Sequence, residues 1–252
     1  MSHSLLAAFL AASCASNAAV VINDGFDDGI LSPAWTATTS ANTTSVSAAE
    51  SGAVYQVVSL GGPSDEWARH ELSRSFHALA DFSIMVNLAW DSSANGVSDM
   101  IKVGFALLDG GGDTVARMYF NDAWVQQTGG HVATGGRPVE TYSPGFGTAA
   151  LAGSPALAVV RTDGLMDFLW DGIPVLEAVA DTRMVESLVL FVEANSYDGF
   201  AGTATFSPVS FDSVTLEGSA AAVPEAGSTA LCALLLSSSA LLRRRPLRQA
   251  GV

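Results

Sequence analysis

Cysteine and lysine are the rarest of the chemically reactive residues in this sequence. Among its 252 residues there are two cysteines, Cys14 and Cys232, and one lysine, Lys102. No cysteine lies between Cys14 and Cys232, so the intervening chain can form no internal disulfide and offers no thiolate to a substrate or a metal. The four histidines have no paired spacing either, and together these absences exclude a zinc site.

Positive charge is also scarce. The sequence has 25 acidic residues against 11 basic ones, and four of the basic residues lie near its end, at Arg243, Arg244, Arg245 and Arg248. Everything before Arg243 therefore carries seven basic residues and a net charge of about −18. A surface this acidic repels phosphate backbones, which excludes nucleic acid as a partner and favours divalent cations or neutral glycans.

The N-terminal residues have the pattern of an export signal. Residues 5–12 form an apolar run far shorter than the roughly 20 residues that cross a bilayer as a helix. Small residues follow, and Ser16-Asn17-Ala18 fits the small-x-small site of a signal peptidase. We therefore predict a signal peptide over residues 1–18. Two alternatives remain open, a lipoprotein box ending at Cys14 and a buried helix of the fold.

The C-terminal residues combine an uncharged apolar run with a basic cluster. Residues 227–242 contain no charged residue and would span roughly 24 Å as a helix. Arg243, Arg244 and Arg245 follow directly, and the positive-inside rule places them on the cytoplasmic side of a membrane. This predicts a C-terminal transmembrane helix. The alternative is a core helix of the globular domain, which a cluster of arginines after so short a run disfavours.

The order of features around that run resembles the PEP-CTERM sorting signal of Gram-negative bacteria. Val223, Pro224 and Glu225 match the start of its Val-Pro-Glu-Pro motif, Ala226 stands in place of the second proline, and the apolar run and arginines follow. The resemblance covers residues 223–252. It implies export across the inner membrane of a Gram-negative-type bacterium, and an exosortase-type processing enzyme as a partner. It also implies that the protein is anchored in the membrane, located at the cell surface or outside the cell after processing, or both.

Between these ends, residues 19–222 have the pattern of an all-β domain. No apolar stripe of period 3.6 reaches the length of a helix, whereas short runs of β-forming residues recur between turn residues. Ten such runs are predicted as strands: 53–60, 67–76, 81–90, 100–108, 114–121, 156–162, 165–170, 187–193, 203–206 and 210–217. Asp163-Gly164 predicts a hairpin turn, and the Gly-rich stretch 129–155 predicts a long loop. The pattern predicts a two-sheet antiparallel sandwich.

Three segments of this domain resemble concanavalin A-like (laminin-G-type) jelly rolls of secreted bacterial proteins. The segments are DGFDDGILSPAW, VRTDGLMDFLWDGIPV and VSFDSVTLEG. The resemblance implies a jelly-roll sandwich whose first and last strands lie side by side. That fold hosts lectins, glycan-binding modules, glycosidases and adhesive spacers, so the fold does not decide the function.

The carboxylates argue against catalysis at this stage. Retaining glycosidases of the jelly-roll class carry their acids on one strand as Glu-x-Asp-x-(x)-Glu, and this sequence has no such motif. Glu66 and Glu71 are five residues apart, and Glu186 and Glu193 are seven apart. Because residues an odd number apart point to opposite faces of a strand, neither pair converges within one strand. We therefore predict that the protein is not an enzyme.

Acidic residues near the start of the domain could instead bind a structural calcium ion. They are Asn23, Asp24, Asp27 and Asp28, with Asp212 in the predicted last strand beside them. Calcium prefers six to eight oxygen ligands, which such loops supply. The alternative is a solvated turn, because Asp and Asn side chains hydrogen-bond to the nearby main chain and so favour turns. No other cofactor is expected.

Aromatic residues in polar or Gly-rich segments are the candidates for glycan stacking, above all Trp124, Tyr119 and Tyr142. The resulting prediction is an exported, surface-directed and non-catalytic envelope or extracellular-matrix protein, with polysaccharide as its expected ligand. Two alternatives remain open. One is a glycan-active hydrolase on a jelly-roll fold, and the other is a purely structural surface protein.

Overall fold

The computed structural model describes residues 19–62, 66–91, 99–122, 129–134, 141–142, 152–196, 202–204 and 209–220. Every regular element within these ranges is a β-strand, so the all-β prediction is confirmed. A search of the same ranges finds no helix with the length and apolar character that a bilayer crossing requires. The predicted signal peptide (1–18) and the predicted sorting segment (223–252) lie outside the described residues.

The described residues form sixteen strands. They are β1 (Ala19–Asp24), β2 (Thr36–Thr39), β3 (Ser45–Ser51), β4 (Val54–Gly62), β5 (Ala68–Asp91), β6 (Asp99–Leu108), β7 (Thr114–Asp122), β8 (Gly129–Thr134), β9 (Thr141–Tyr142), β10 (Ala152–Gly153), β11 (Ala156–Thr162), β12 (Leu165–Trp170), β13 (Ile173–Ala180), β14 (Val185–Ser196), β15 (Gly202–Ala204) and β16 (Val209–Ala220).

Strand β5 is 24 residues long and belongs to both sheets of the sandwich. Its first half pairs with β2 and β14, and its second half pairs with β11 and β16. The first sheet therefore has the order β2-β5-β14-β6-β7-β8-β9, and every pairing in it is antiparallel. The second has the order β13-β12-β11-β5-β16, with β1 and β4 both paired to β16.

The core lies between the two sheets. Strand β5 alternates strictly between buried and more exposed positions at both ends, as a strand does when only one of its faces meets a core. Leu190 of the first sheet and Ile84 of the second are both fully buried members of this single core. Trp90 stacks on Phe120 with ring centroids 4.0 Å apart, which fixes the end of the sandwich where β5 finishes.

The resemblance to jelly rolls implied that the first and last strands of the domain lie side by side, and the structure shows this arrangement. Strand β1 pairs antiparallel with β16, from Ala19 opposite Gly218 to Asp24 opposite Val214. The two-sheet jelly-roll architecture is thus confirmed.

The structure corrects several details of the predicted strands. The predicted break between 76 and 81 does not exist, because β5 continues through it as it passes from one sheet to the other. The predicted loop 129–155 contains the strands β8, β9 and β10. The predicted hairpin turn is confirmed, since Asp163 and Gly164 have φ angles of 52° and 76°, as a type I′ turn requires.

Candidate functional site

The face of the first sheet that points away from the core carries a second, smaller apolar cluster. We call this surface the outer face. The cluster consists of Tyr119, Val189 and Phe191, with Leu108 packed against it. On β14 these residues alternate with Leu188 and Leu190 of the main core, so the strand is buried on both sides. A sandwich sheet with a solvated outer face needs no such cluster, which marks the outer face as a candidate site.

One row of residues crosses the outer face from strand to strand. Strand pairing places Glu71, Phe191, Gly104, Tyr119 and His131 opposite one another in that order. Tyr119 stacks on the His131 ring at 5.0 Å between centroids and meets Phe191 at 6.1 Å. The row therefore forms an aromatic floor with a carboxylate at one end and an imidazole at the other.

Gly104 shapes the middle of this floor. A Cβ atom at this position would lie 2.1 Å from the Met118 carbonyl oxygen and 2.5 Å from the Tyr119 Cα atom. No side chain fits there without moving the backbone of β7. The glycine leaves space over β6 into which the flanking rings of Phe191 and Tyr119 lean.

The adjacent row carries Glu193, a buried carboxylate surrounded by positive charge. Its side chain is only 9% exposed. Its Oε1 accepts hydrogen bonds from Arg69 Nη1 at 2.7 Å and from Arg117 Nη2 at 3.2 Å. Lys102 Nζ lies 3.7 Å from its Oε2. A buried carboxylate is tolerated only when it is paired in this way, so the three cations are what allow Glu193 to face this site.

Glu71 is the second carboxylate on the outer face. It forms an ion pair with Arg69 Nε, and Thr38 Oγ1 donates to its Oε2. Arg69 thus bridges the two carboxylates. Glu71 lies opposite Phe191 while Glu193 lies opposite Arg69, which makes the two glutamates diagonal neighbours on adjacent strands. Such neighbours have Cβ atoms roughly 7 Å apart.

The cations of the site also cover its aromatic floor. The guanidinium carbons of Arg69 and Arg117 lie 4.9 Å and 4.4 Å from the centre of the Phe191 ring. Arg117 also lies 4.5 Å from the centre of the Tyr119 ring, and Lys102 Nζ lies 4.0 Å from that of Trp67. These cation–π contacts hold the long side chains in place, so the site is largely preorganised.

The predicted glycan-binding aromatics have three different outcomes. Tyr119 belongs to the site, but it lies in β7 with 1% of its surface exposed, so it is part of the floor rather than an exposed platform. Tyr142 lies in β9 opposite His131 by backbone pairing. Trp124 lies outside the described residues.

The residues predicted to hold calcium lie at the end of β1, in the segment that follows it, and on β16 of the second sheet. Asp24 accepts hydrogen bonds from Trp35 Nε1 and from the Phe26 amide, and Asp28 accepts one from the Ile30 amide. Burial and a hydrogen bond with Asp28 raise the pKa of Glu50 beside them. Asn23 precedes Asp24 in β1 and Asp27 follows that strand, and the Asp212 carboxylate accepts a hydrogen bond from Ser210.

Among the described residues, no three of the types His, Cys, Asp and Glu are grouped as a metal site would need. The calcium site stays a prediction.

Sequence reasoning missed most of this site. Residues 69, 71, 102, 117 and 193 come from four strands, and only the pairing register brings them together. The relevant signal was in β14, where Val189, Phe191 and Glu193 alternate with core residues in a run that is apolar on both faces. A glutamate at the end of such a run is a candidate for a buried, paired carboxylate.

Comparisons with known proteins relate the chain to others by fold. No protein-family model and no curated protein match the sequence. A glycosyl hydrolase family protein from Mycobacterium fortuitum is 11% identical, with a TM-score of 0.55 over 79% of this chain and 99% of that one. The laminarinase catalytic domain of Thermotoga maritima is also 11% identical, with a TM-score of 0.54 over 81% and 99%. The CBM2 module of the evolved Dit of Lactobacillus casei phage J-1 is 12% identical, with a TM-score of 0.55 over 81% and 97%.

These findings correct the prediction of a non-catalytic protein. That prediction rested on the absence of two acids on one face of a single strand. The structure brings Glu71 and Glu193 to the same face from two adjacent strands, a pairing that spacing along the chain cannot show. Solved structures of similar fold include an endo-β-1,3(4)-glucanase, a laminarinase and a β-agarase. The expectation of no enzyme was therefore wrong, and the hydrolase alternative is the better supported one.

Proposed function

We propose that this protein is a glycan-active hydrolase that cleaves a polysaccharide on the outer face of its first sheet. The observation that carries the proposal is the diagonal pair Glu71 and Glu193, bridged by Arg69. Glycoside hydrolysis needs two carboxyl groups about 5–9 Å apart, and diagonal neighbours on adjacent strands fall within that range. The fold supports the proposal, because glycosidases are frequent among its structural neighbours.

The surroundings of the two carboxyl groups differ. Glu193 is 9% exposed and contacts three cations. Glu71 has 26% of its side chain exposed and contacts one cation, so it is the more accessible of the two to a bound glycan. We assign the two groups together to the pair of acids that glycoside hydrolysis requires.

Turnover of defined glycans by purified residues 19–222 tests this proposal. We expect release of reducing ends from at least one substrate among laminarin, mixed-linkage glucan, agarose, polygalacturonate and carrageenan. Glu71→Gln and Glu193→Gln should each lower that rate by about 100-fold or more, as loss of an acid or base does. Glu177→Gln is the matched control, because Glu177 is an exposed residue of β13 outside the site.

Two results would contradict the proposal. One is the absence of reducing ends from every substrate while circular dichroism shows a folded β protein. The other is full activity in both Glu71→Gln and Glu193→Gln.

A polysaccharide substrate fits an extracellular location, so we also propose export by the N-terminal signal and sorting by the PEP-CTERM-like segment. The support is the order of Val223-Pro224-Glu225, an apolar run and three arginines. A protease-sensitive reporter fused after Val252 should be protected in intact cells, because the arginines remain in the cytosol. Cleavage of that reporter from outside would exclude this topology.

A further inference from the structure

We infer that the polysaccharide bound by the outer face carries acidic groups, carboxylate or sulfate, which Arg117, Arg69 and Lys102 recognise. This inference rests on the proposed function, since it names the substrate class of the same site. Its starting point is a concentration of positive charge in a chain that has little of it. Three of the seven basic residues before Arg243 lie on this one face, including the only lysine.

The cations of the cluster converge on one buried carboxylate. Among the described residues, Arg69 and Arg117 donate to Glu193, Lys102 lies beside it, and Arg69 also pairs with Glu71. A uronate or sulfate group on a bound sugar would add charged acceptors for these donors, which a neutral glycan lacks.

Arg117 still has donor capacity to offer a ligand. Its Nη2 donates to Glu193, but its buried Nε has no hydrogen-bond partner among the described residues. A buried donor without a partner costs about 1–3 kcal/mol, so an unfilled donor in a site indicates a missing acceptor. The Arg117 side chain is 21% exposed, which leaves an approach for an anionic oxygen.

A second buried group suits the sugar itself. Asn195 is 3% exposed and lies on the same face of β14 as Glu193, and its Oδ1 has no hydrogen-bond partner among the described residues. An amide oxygen accepts from hydroxyl groups and repels anions. The cluster therefore combines donors for an acidic group with an acceptor for a hydroxyl, which is the combination that an acidic sugar presents.

Binding of matched polymers tests the inference. The probes are polygalacturonate and carrageenan as acidic glycans, laminarin as a neutral glycan and poly-L-glutamate as an acidic polymer without sugars, each titrated calorimetrically at low salt. We expect the wild type to bind at least one acidic glycan about tenfold more tightly than laminarin, and to lose most of that preference in high salt.

Substitutions in the cluster test which side chains cause the preference for acidic glycans. Arg117→Gln should weaken binding of the acidic glycan by about tenfold or more, since hydrogen bonds to charged groups are worth about 1.5–3 kcal/mol. Arg117→Lys should recover part of the loss, because lysine restores the positive charge but not the planar set of donors of the guanidinium. Arg74→Gln is the matched control, because Arg74 lies on β5, the strand of Arg69, but faces Trp35 instead of the outer face. Lys102→Gln provides a second probe of the cluster if Arg117→Gln does not fold.

The outcomes separate this inference from the proposed function. Equal binding of neutral and acidic glycans, unchanged in Arg117→Gln and Lys102→Gln, would overturn the inference while release of reducing ends could still support the hydrolase. Tight, Arg117-dependent binding of an acidic glycan without any cleavage would support the inference and contradict the hydrolase. Equal binding of poly-L-glutamate would overturn the recognition of a sugar.

Discussion

In the part of the chain that the structure describes, the charged side chains of Arg161 and Glu193 are both buried, and they are held in opposite ways. Arg161 is 2% exposed, and its guanidinium donates to three main-chain carbonyl oxygens, those of Leu79, Ala80 and Arg183. Glu193 is held by the side chains of Arg69, Lys102 and Arg117, which are themselves between 21% and 30% exposed. The partners of Arg161 are main-chain groups of the fold, whereas the partners of Glu193 are side chains that stay partly exposed to solvent.

Under the proposed function, this difference separates a buried charge that stabilises the fold from one that belongs to the site. Leu79 and Ala80 lie where β5 passes from the first sheet to the second, next to a register irregularity opposite β14. Arg161 ties this crossing to the segment that enters β14. Its burial lowers its pKa, but an arginine keeps its charge at neutral pH. A charge whose donors are filled by main-chain carbonyls has little left for a ligand, whereas the cations around Glu193 can exchange a partner.

Replacement of Arg161 should have the largest effect on stability. Arg161→Met keeps much of the side-chain volume but leaves three main-chain carbonyl oxygens without this donor, one of them, that of Leu79, in a fully buried hydrogen bond. We expect the free energy of unfolding to fall by about 4 kcal/mol, measured by urea denaturation of residues 19–222. The activity of the remaining folded molecules should be unchanged, because Arg161 does not contact the outer face.

Glu193→Gln supplies the comparison for that result. Its cationic neighbours are already partly exposed to water, so the same experiment should show a loss of only about 1–2 kcal/mol. A larger loss of stability in Glu193→Gln than in Arg161→Met would reverse the roles assigned to the two buried charges.

The sequence predicted the features that depend on local signals and missed those that depend on strand pairing. Strands β11 and β12 were predicted with the observed bounds, because alternation and the Asp163-Gly164 turn are local signals. The continuity of β5 was missed, because residues 76–81 carry no local sign that one strand will serve two sheets.

The site was missed for a related reason. Glu71 was considered as an acid, but its partner Glu193 lies 122 residues away along the chain and meets it only through the register of β5 and β14. Alternation predicts which face of a strand is buried, but it does not predict which strand lies beside it. The cationic cluster depends on the same register, so its concentration of positive charge could not be inferred from the composition, which is acidic overall.

A third buried titratable group, His70, offers a smaller effect that depends on pH. Its Nε2 lies 2.7 Å from the Tyr55 hydroxyl, and the two rings stack with their planes 11° apart. Burial lowers the pKa of His70, against an opposing effect of Glu71, and burial raises the pKa of Tyr55 to about 12. The pair is therefore neutral in the folded protein at neutral pH.

The lowered pKa predicts a loss of stability in mild acid. As the pH falls below the unfolded value of 6.5, His70 takes up a proton in the unfolded chain but not yet in the folded one. The free energy of unfolding should therefore fall by up to about 1.4 kcal/mol per pH unit until the folded pKa is reached, and then level off. Urea denaturation at pH 7.5 and 5.5 measures this loss, and His70→Gln should reduce it. His77→Gln is the control, because His77 lies on the same strand but is exposed. An equal loss in the wild type and in His70→Gln would show that protonation of His70 does not contribute to the pH dependence of the free energy of unfolding.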